Sequence, residues 1–252
     1  MPESGLPESG AAVLVTRPEP GAGETARRVA ALGWRPVLAP ALVLSPRAAA
    51  IGEPAPAAQA LLLASRAAAR AVLPSDTVPV LVVGEATAAE ARAHGFVNVT
   101  AAEGDAAALV ALAADRLDPA AGPLFLAVGA GYGGELAAAL RQRGFRVLRR
   151  VVYSAEPATV LPEAARAALA AEAVVAALFF SPRSAGCAIS LLRAAGLAGA
   201  VARAEALAIS PRVAAVLAAA APEPRWRGLR VAARPDQDSL LQLLGPGPGT
   251  KN

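Results

Sequence analysis

Three places in the chain combine serine with arginine between a strand-length apolar run and a helical pattern, a combination that can bind anions. They are Ser65-Arg66, Ser181-Pro182-Arg183-Ser184 and Ser210-Pro211-Arg212. Serine is a preferred helix N-cap and proline a preferred first helical residue, so each place predicts a helix start. An arginine there opposes the helix dipole, which favours an anionic partner over a solvated side chain. The first turn of a helix also offers backbone N–H groups to carboxylates, so capping and ligand binding are compatible.

A second candidate is the glycine-rich loop at 129–134, which follows the apolar run Leu124 to Val128 and precedes the helical pattern of Glu135 to Arg143. The loop satisfies G-x-G-x-x-G, the dinucleotide-binding pattern, and Glu156 lies near the distance expected of a ribose-binding carboxylate. However, Glu156 falls beyond the next strand, and the equivalent loop at 17–23 lacks the pattern. A turn that needs glycine for close backbone approach is therefore favoured, with NAD(P) binding kept as an alternative.

The chain lacks the residue set of several other chemistries. His94 is its single histidine, so no histidine-based triad or histidine metal cluster is expected. His94 precedes Gly95, a helix-ending glycine, and is interpreted as a charge at a helix C-terminus. Cys187 is the single cysteine, which excludes an internal disulfide and suits a reducing cytoplasm. No metal site is predicted from these residues.

Composition and net charge favour some classes of binding partner and exclude others. The 252 residues carry a formal net charge of +4 with a sequence pI of about 10.1, which favours an anionic ligand. The arginines are dispersed and aromatic residues make up 4%, so a nucleic-acid-binding surface is not predicted. The first twelve residues lack the pattern of a signal peptide, and the longest strongly apolar run, Ala173 to Phe180, is too short to span a bilayer. A soluble, cytoplasmic protein is expected.

The elements that position these candidates occur twice. One unit comprises a strand at Val13 to Thr16, a helix ending at Gly33 and a second strand, and Leu124 to Tyr153 repeats it with the helices aligned without a gap. Three strand–helix pairs accompany each copy, so the sequence predicts an α/β protein with two five-stranded, flavodoxin-like parallel sheets. The periodicity leaves open whether the copies follow one another or exchange their β-α-β units.

Seven segments, in this order and spacing, carry a resemblance to a known family. They are VLVTRP (13–18), ALLLAS (60–65), VGEATAAEARAHGF (83–96), RGFRVLRRVVY (143–153), FFSPRSA (179–185), AISPRVAAVL (208–217) and VAARPDQDSLLQLL (231–244). Together they make the chain resemble uroporphyrinogen-III synthase over almost its full length.

The resemblance implies two flavodoxin-like domains that face each other across a cleft. The N-terminal β-α-β unit would be exchanged into the C-terminal domain, giving a discontinuous domain of residues 1–40 and 157–252. Residues 46–153 would form the other domain, with connections at 41–45 and 154–156. Division into two domains also suits a chain of this length.

The implied substrate is hydroxymethylbilane, a linear tetrapyrrole with acetate and propionate side chains. The implied reaction removes water and closes the ring with inversion of ring D, giving uroporphyrinogen III without a cofactor. Tyr153 matches the family tyrosine implicated as a proton donor. The other site residues are expected to bind substrate: Arg17, Ser65, Arg66, Gly84, Thr87, Gly129, Ser181, Arg183, Ser184, Ser210 and Arg212.

Two departures from the family pattern concern side-chain contacts. The family often has Ser-x-Asn where this chain has Ser65-Arg66-Ala67, and an arginine where this chain has Ala127-Val128. Backbone contacts are less sensitive to such changes. A monomer without a nucleic-acid or membrane partner is expected. The alternative from another functional class is a two-lobed protein that binds a small anion without catalysis.

Overall fold

The structure, a computed structural model, describes residues 11–47, 58–74, 76–220 and 222–248. Strands and helices alternate through these residues. The strands are β1 (Ala12–Val15), β2 (Arg35–Leu38), β3 (Leu42–Pro46), β4 (Ala60–Leu63), β5 (Val80–Val82), β6 (Val99–Ala101), β7 (Leu124–Gly129), β8 (Val147–Pro157), β9 (Val174–Phe179), β10 (Glu205–Ala208) and β11 (Gly228–Val231). The α-helices are α1 (Ala22–Ala31), α2 (Arg66–Ala71), α3 (Glu85–Ala93), α4 (Ala106–Arg116), α5 (Gly134–Gln142), α6 (Glu163–Ala170), α7 (Pro182–Ala194), α8 (Pro211–Ala218) and α9 (Gln237–Gln242).

The described residues form two compact units. The first contains the residues up to Val43 and those from Glu156 onward, and the second contains Leu44 to Ala155. The unit boundaries therefore fall within β3 and β8. Each unit has its own sheet and its own buried apolar clusters.

The sheet of the first unit has the order β2-β1-β9-β10-β11, and its strands are parallel. Strand β1 pairs with β2 on one side and with β9 on the other: Leu14 is opposite Val37 and also opposite Ala177. The pairing of β1 with β9 confirms that the N-terminal β-α-β unit belongs to the C-terminal sheet. It also settles the alternative left open by the periodicity, because consecutive copies would keep β1 and β9 in different sheets.

The sheet of the second unit has the order β3-β8-β7-β4-β5-β6. Without β3, this is the order of the first sheet, with β7 and β8 in the places of β1 and β2. The sixth strand is a difference from the expected five. Arg47 N–H donates to Val152 C=O at 2.9 Å and Ala158 N–H donates to Ala41 C=O at 3.0 Å, so β3 runs antiparallel to β8. Pro40 precedes β3 and Pro46 ends it. Prolines suit an edge strand, because proline has no N–H to donate to a second neighbouring strand.

Capping side chains explain where several helices begin. Ser65, Asp105, Ser181 and Asp236 each precede a helix and accept the backbone N–H three residues later. The last helix was expected over Ser239 to Leu244 but begins at Gln237, because Asp236 accepts the Ser239 N–H at 2.7 Å. The same hydrogen bond is the main reason that the pKa of Asp236 lies below its ordinary value. Helix α6 was not predicted.

Three strands that lead into candidate residues, β1, β4 and β7, are buried on both faces, as is usual in parallel sheets. All four residues of β1, all four of β4 and all six of β7 are buried. Such strands cannot shift without exposing apolar surface, so the loops at their carboxyl ends start from fixed positions. Arg17, Ser65, Arg66 and Gly129 lie in or next to these loops.

Candidate functional site

In the second unit, the carboxyl ends of β4 and β7 bring three candidate residues together. Ser65 follows β4, Gly129 ends β7, and Tyr153 is the register partner of Gly129 on β8. Strands β4 and β7 are neighbours, with Leu63 opposite Ala127. Tyr153 was expected at the end of its strand, whereas β8 continues to Pro157.

The Tyr153 side chain is held between Gly129 and an apolar cluster. Its ring packs against the buried cluster that includes Val152 and is half-buried. A Cβ at position 129 would be 2.6 Å from Cζ and 2.8 Å from the hydroxyl oxygen of Tyr153. Glycine at position 129 therefore leaves the space that the ring occupies.

The Tyr153 hydroxyl has a polar partner in Ser65. The two hydroxyl oxygens are 3.3 Å apart, and either can be the donor. Ser65 also caps α2, since its Oγ accepts the Ala68 N–H at 3.1 Å. With that acceptor position used by the helix, the Ser65 hydroxyl proton remains available for the Tyr153 oxygen. Arg66 is the first residue of α2 and is half-buried.

Two further candidates lie at the start of α3. Gly84 is the N-cap, and a Cβ there would be 3.1 Å from the Gly104 Cα, so the adjacent loop approaches closely. Thr87 lies in the first turn with 5% of its surface exposed. The backbone of this turn, rather than the Thr87 side chain, is therefore the part suited to contact a ligand.

Backbone conformation and packing within the chain account for three glycines of the 129–134 loop, Gly129, Gly131 and Gly133. Gly131 and Gly133 have φ angles of +82° and +79°, a conformation that side chains other than glycine rarely adopt. A Cβ at Gly133 would also lie 2.4 Å from Cγ1 of Val128, and Gly129 accommodates the Tyr153 ring. These contacts support the close-approach interpretation of the loop without a dinucleotide.

In the first unit, Ser181 and Ser184 form a closed hydrogen-bond loop at the start of α7. Ser181 Oγ accepts the Ser184 N–H at 3.1 Å and donates to Ser184 Oγ at 2.9 Å. Ser184 Oγ in turn donates to the Ser181 carbonyl at 3.1 Å, and 1% of Ser184 is exposed. These two hydroxyls are used in capping, whereas Arg183 is exposed on the first turn.

The start of α8 differs from that of α7. Ser210 has the extended backbone of an N-cap, but its side chain makes no cap hydrogen bond. Arg212 is exposed, two residues further on. The equivalent Ser-Pro-Arg motifs therefore present different groups: a bonded pair of serines at α7, and a serine hydroxyl not used for capping at α8.

Arg17 is fixed by residues from distant parts of the first unit. Its Nη1 donates to Gln237 Oε1 at 2.7 Å, and its Cζ lies 4.5 Å from the centre of the Phe180 ring. A Cβ at Gly21 would be 2.4 Å from the guanidinium, so that glycine makes room for it. Gln237 and Phe180 were not identified as site residues from the sequence. Both stand next to predicted site segments, but their contact with Arg17 depends on the exchanged topology.

Two classes of feature are not found in the parts of the chain that the structure describes. No three or more histidine, cysteine, aspartate or glutamate side chains are gathered in a way that could hold a metal ion. Among the same residues, every helix is too short or too polar to cross a bilayer.

Comparisons with known proteins agree with this architecture. The family model described as uroporphyrinogen-III synthase HemD matches residues 23–242. Among solved structures, the chain is similar to uroporphyrinogen-III synthetase from Helicobacter pylori 26695, with 13% identity, a TM-score of 0.54, and coverage of 92% of this chain and 97% of that chain. It is also similar to uroporphyrinogen III synthase from Thermus thermophilus, with 19% identity, a TM-score of 0.41, and coverage of 93% and 96%. The similarity to the Helicobacter pylori structure, at 13% identity, shows a shared fold and no more. No curated protein sequence matches the chain.

Proposed function

This chain belongs to the uroporphyrinogen-III synthase family, and we infer from that membership that it is a lyase of tetrapyrrole biosynthesis. The proposed reaction converts hydroxymethylbilane into uroporphyrinogen III and water, with closure of the ring and inversion of ring D. The observation that carries the proposal is the family match over residues 23–242.

The reaction requires a proton donor and a protein that holds the substrate in one conformation. Pyrrole electrons expel the terminal hydroxyl, which leaves as water once it has received a proton. The remaining cationic intermediate must be held folded so that the ring closes with inversion. General acid catalysis contributes about 10²- to 10⁴-fold, and the positioning of the chain supplies much of the rest.

We assign the proton donor as Tyr153. The assignment is supported by the 3.3 Å contact of its hydroxyl with Ser65 and by the fixed place of its ring on Gly129. When Tyr153 gives up its proton, the Ser65 hydroxyl can donate to the phenolate oxygen, and the first turn of α2 lies beside it. Water formed from the substrate carries away the transferred proton, and the product's pyrrole carbon releases one that restores the tyrosine.

The proposed carboxylate contacts remain the residues named from the sequence. Exposed or half-buried groups suited to direct contact are Arg17, Arg66, Arg183, Ser210 and Arg212. The other members fix strand ends and the starts of helices, where the first backbone N–H groups of the helix can bind carboxylates. They are Ser65, Gly84, Thr87, Gly129, Ser181 and Ser184. We further propose a cytoplasmic monomer that acts without cofactor, nucleic acid or membrane.

The test is to supply hydroxymethylbilane and to separate the porphyrin isomers after oxidation. Because hydroxymethylbilane also closes unaided to the type I isomer, enzyme must be in excess so that the isomer ratio reports catalysis. The parent protein should give type III product. Binding of hydroxymethylbilane without type III product would favour the anion-binding alternative and would contradict the proposed activity.

Tyr153→Phe tests the proton donor within the same assay. The variant removes the hydroxyl and keeps the ring, so the free energy of unfolding should change by less than about 1.5 kcal/mol. Turnover should fall by about 10- to 1,000-fold, with mainly type I product. A Phe variant that forms type III product at the parent rate would make Tyr153 structural.

A further inference from the structure

The turn between β7 and α5 is bonded to strand β8 at two points. At one point the Ala130 N–H donates to the Tyr153 carbonyl at 2.9 Å. At the other, the Arg149 guanidinium donates to the Tyr132 carbonyl oxygen, from Nε at 3.0 Å and from Nη2 at 2.5 Å. Arg149 and Tyr153 lie on the same strand. One strand thus carries both the proposed proton donor and a side chain that holds the turn against it.

This turn is one wall of the space that holds the Tyr153 ring. Gly129 forms this wall, because a Cβ at position 129 would lie 2.6 Å from Cζ of Tyr153. The Tyr132 N–H donates to the Gly129 carbonyl at 3.1 Å, so Tyr132 and Gly129 belong to one hydrogen-bonded turn. A bond to the Tyr132 carbonyl therefore restrains the position of Gly129.

The tip of the turn has little packing of its own. The Tyr132 side chain is 62% exposed. Cβ atoms built at Gly131 and Gly134 have no heavy atom within 4 Å among the described residues. Glycines at 131, 133 and 134 also leave this backbone more conformational freedom than other residues would. The charge-assisted bonds from Arg149 thus restrain a segment that packing leaves free.

We propose that Arg149 is a positioning residue for Tyr153. It fixes the turn, the turn fixes Gly129, and Gly129 keeps the Tyr153 ring in the orientation that places its hydroxyl beside Ser65. Arg149 acts through the Tyr132 backbone and does not touch the reacting atoms. The inference rests on the proposed function, because it assumes that Tyr153 donates the proton.

Arg149→Met is the main test, since it keeps a long side chain and removes the N–H donors of the guanidinium. We expect kcat to fall by about 5- to 50-fold, because small misplacements of a catalytic group lower turnover strongly. KM should stay within about twofold, since uniform substrate binding is unchanged. The type I fraction should rise. Arg149→Lys retains one donor group and should lie between the parent and the Met variant.

Two matched variants separate this role from others. Arg150→Met makes the same change at the exposed neighbouring position of β8, and we expect parent kinetics. Tyr132→Phe keeps the backbone carbonyl that Arg149 binds, so it should also match the parent. A loss of turnover in Tyr132→Phe equal to that of Arg149→Met would overturn the proposal, because the phenol rather than the carbonyl would then matter.

Coupling to Tyr153 is the decisive measurement. In the Tyr153→Phe background the hydroxyl that Arg149 positions is absent, so adding Arg149→Met should lower kcat by less than about twofold. Multiplicative losses, or a KM rise above about tenfold for Arg149→Met alone, would instead make Arg149 a direct substrate ligand and overturn the proposal. If the Met variant does not fold, the Lys variant in both backgrounds gives the same comparison.

The two levels of the proposal fail in different ways. A parent protein that gives no type III product contradicts the proposed function itself. A parent that gives type III product, together with an Arg149→Met variant of unchanged kcat and isomer ratio, contradicts only the positioning role.

Discussion

Gly129 and Tyr153 are register partners on neighbouring strands, and the Tyr153 ring occupies the place where a Cβ of residue 129 would be. This contact joins two features that the sequence presents separately, a glycine-rich loop and a tyrosine. It explains why the first residue of the loop is glycine, since a side chain there would clash with the Tyr153 ring. It also makes position 129 a means of moving the Tyr153 ring without changing the tyrosine.

Gly129→Ala should therefore lower turnover by displacing the Tyr153 ring. The added Cβ would meet the far end of a side chain, which can swing aside, so the loss of stability should be below about 2 kcal/mol. We expect a fall in kcat of about tenfold or more, in the range of a lost general acid. The measurements are steady-state kinetics and thermal unfolding.

Gly134→Ala is the control for this change in the same loop. No atom lies within 4 Å of a Cβ at that position among the described residues, and Gly134 is the first residue of α5. Alanine there should leave kcat unchanged and keep or slightly raise stability. Equal kinetics for Gly129→Ala and the parent would show that the ring position does not limit the reaction.

Ser65 has two roles: it caps α2, and its hydroxyl contacts the Tyr153 hydroxyl. Different substitutions can separate these roles. Ser65→Asn keeps a side chain that caps α2, so the free energy of unfolding should stay within about 0.5 kcal/mol of the parent. It removes the hydroxyl beside Tyr153, so kcat should fall by about 3- to 30-fold. Ser65→Thr, which keeps both groups, should preserve most activity. Parent activity in the Asn variant would reduce Ser65 to its capping role.

Arg212→Ala should weaken substrate binding through lost charge. The side chain is exposed at the start of α8, so stability should change by less than about 0.5 kcal/mol. KM should rise more than kcat falls, with a loss of about 1–3 kcal/mol in kcat/KM. Arg203→Ala removes an arginine that is 80% exposed and paired with Glu172, and it is the charge-matched control. Equal KM values for both variants would show that Arg212 is a solvated surface residue that does not bind substrate.

The proposed domain boundaries can be tested with fragments. Residues 46–153 should unfold cooperatively on their own, because β4 to β8 form a complete parallel order without β3. A longer fragment, 41–157, should be more stable since it keeps the β3–β8 pairing. Chemical denaturation followed by circular dichroism measures both. A cooperative transition in residues 1–120, but not in 46–153, would contradict these boundaries.

Local signals in the sequence predicted most of the fold. Apolar runs gave the buried strands, and serine or glycine at their ends gave most helix starts. The start of α9 was predicted at Ser239, two residues late, because the cap that begins it is Asp236. The exchange of the first β-α-β unit needed the family resemblance, since strand periodicity does not encode the order of strands in a sheet.

The candidate site was less accessible from the sequence than the fold. The serines at the helix starts were identified because capping is local. The contacts of Ser65 with Tyr153 and of Arg17 with Gln237 join residues 88 and 220 positions apart, so no spacing rule reveals them. Arg149 was not identified from the sequence for the same reason: its acceptor is a backbone carbonyl in the turn between β7 and α5.

The placement of β1 between β2 and β9 has a consequence for synthesis on the ribosome. Strand β1 is fully buried, yet its partner β9 emerges only after the whole second unit has been made. At about 5–20 residues per second, the roughly 160 intervening residues take on the order of 10–30 s. The contiguous second unit can fold in that interval, while the apolar N-terminal strand stays unpaired on one side. A nascent chain stalled before β9 should therefore contain a protease-resistant second unit and a protease-sensitive N-terminal segment.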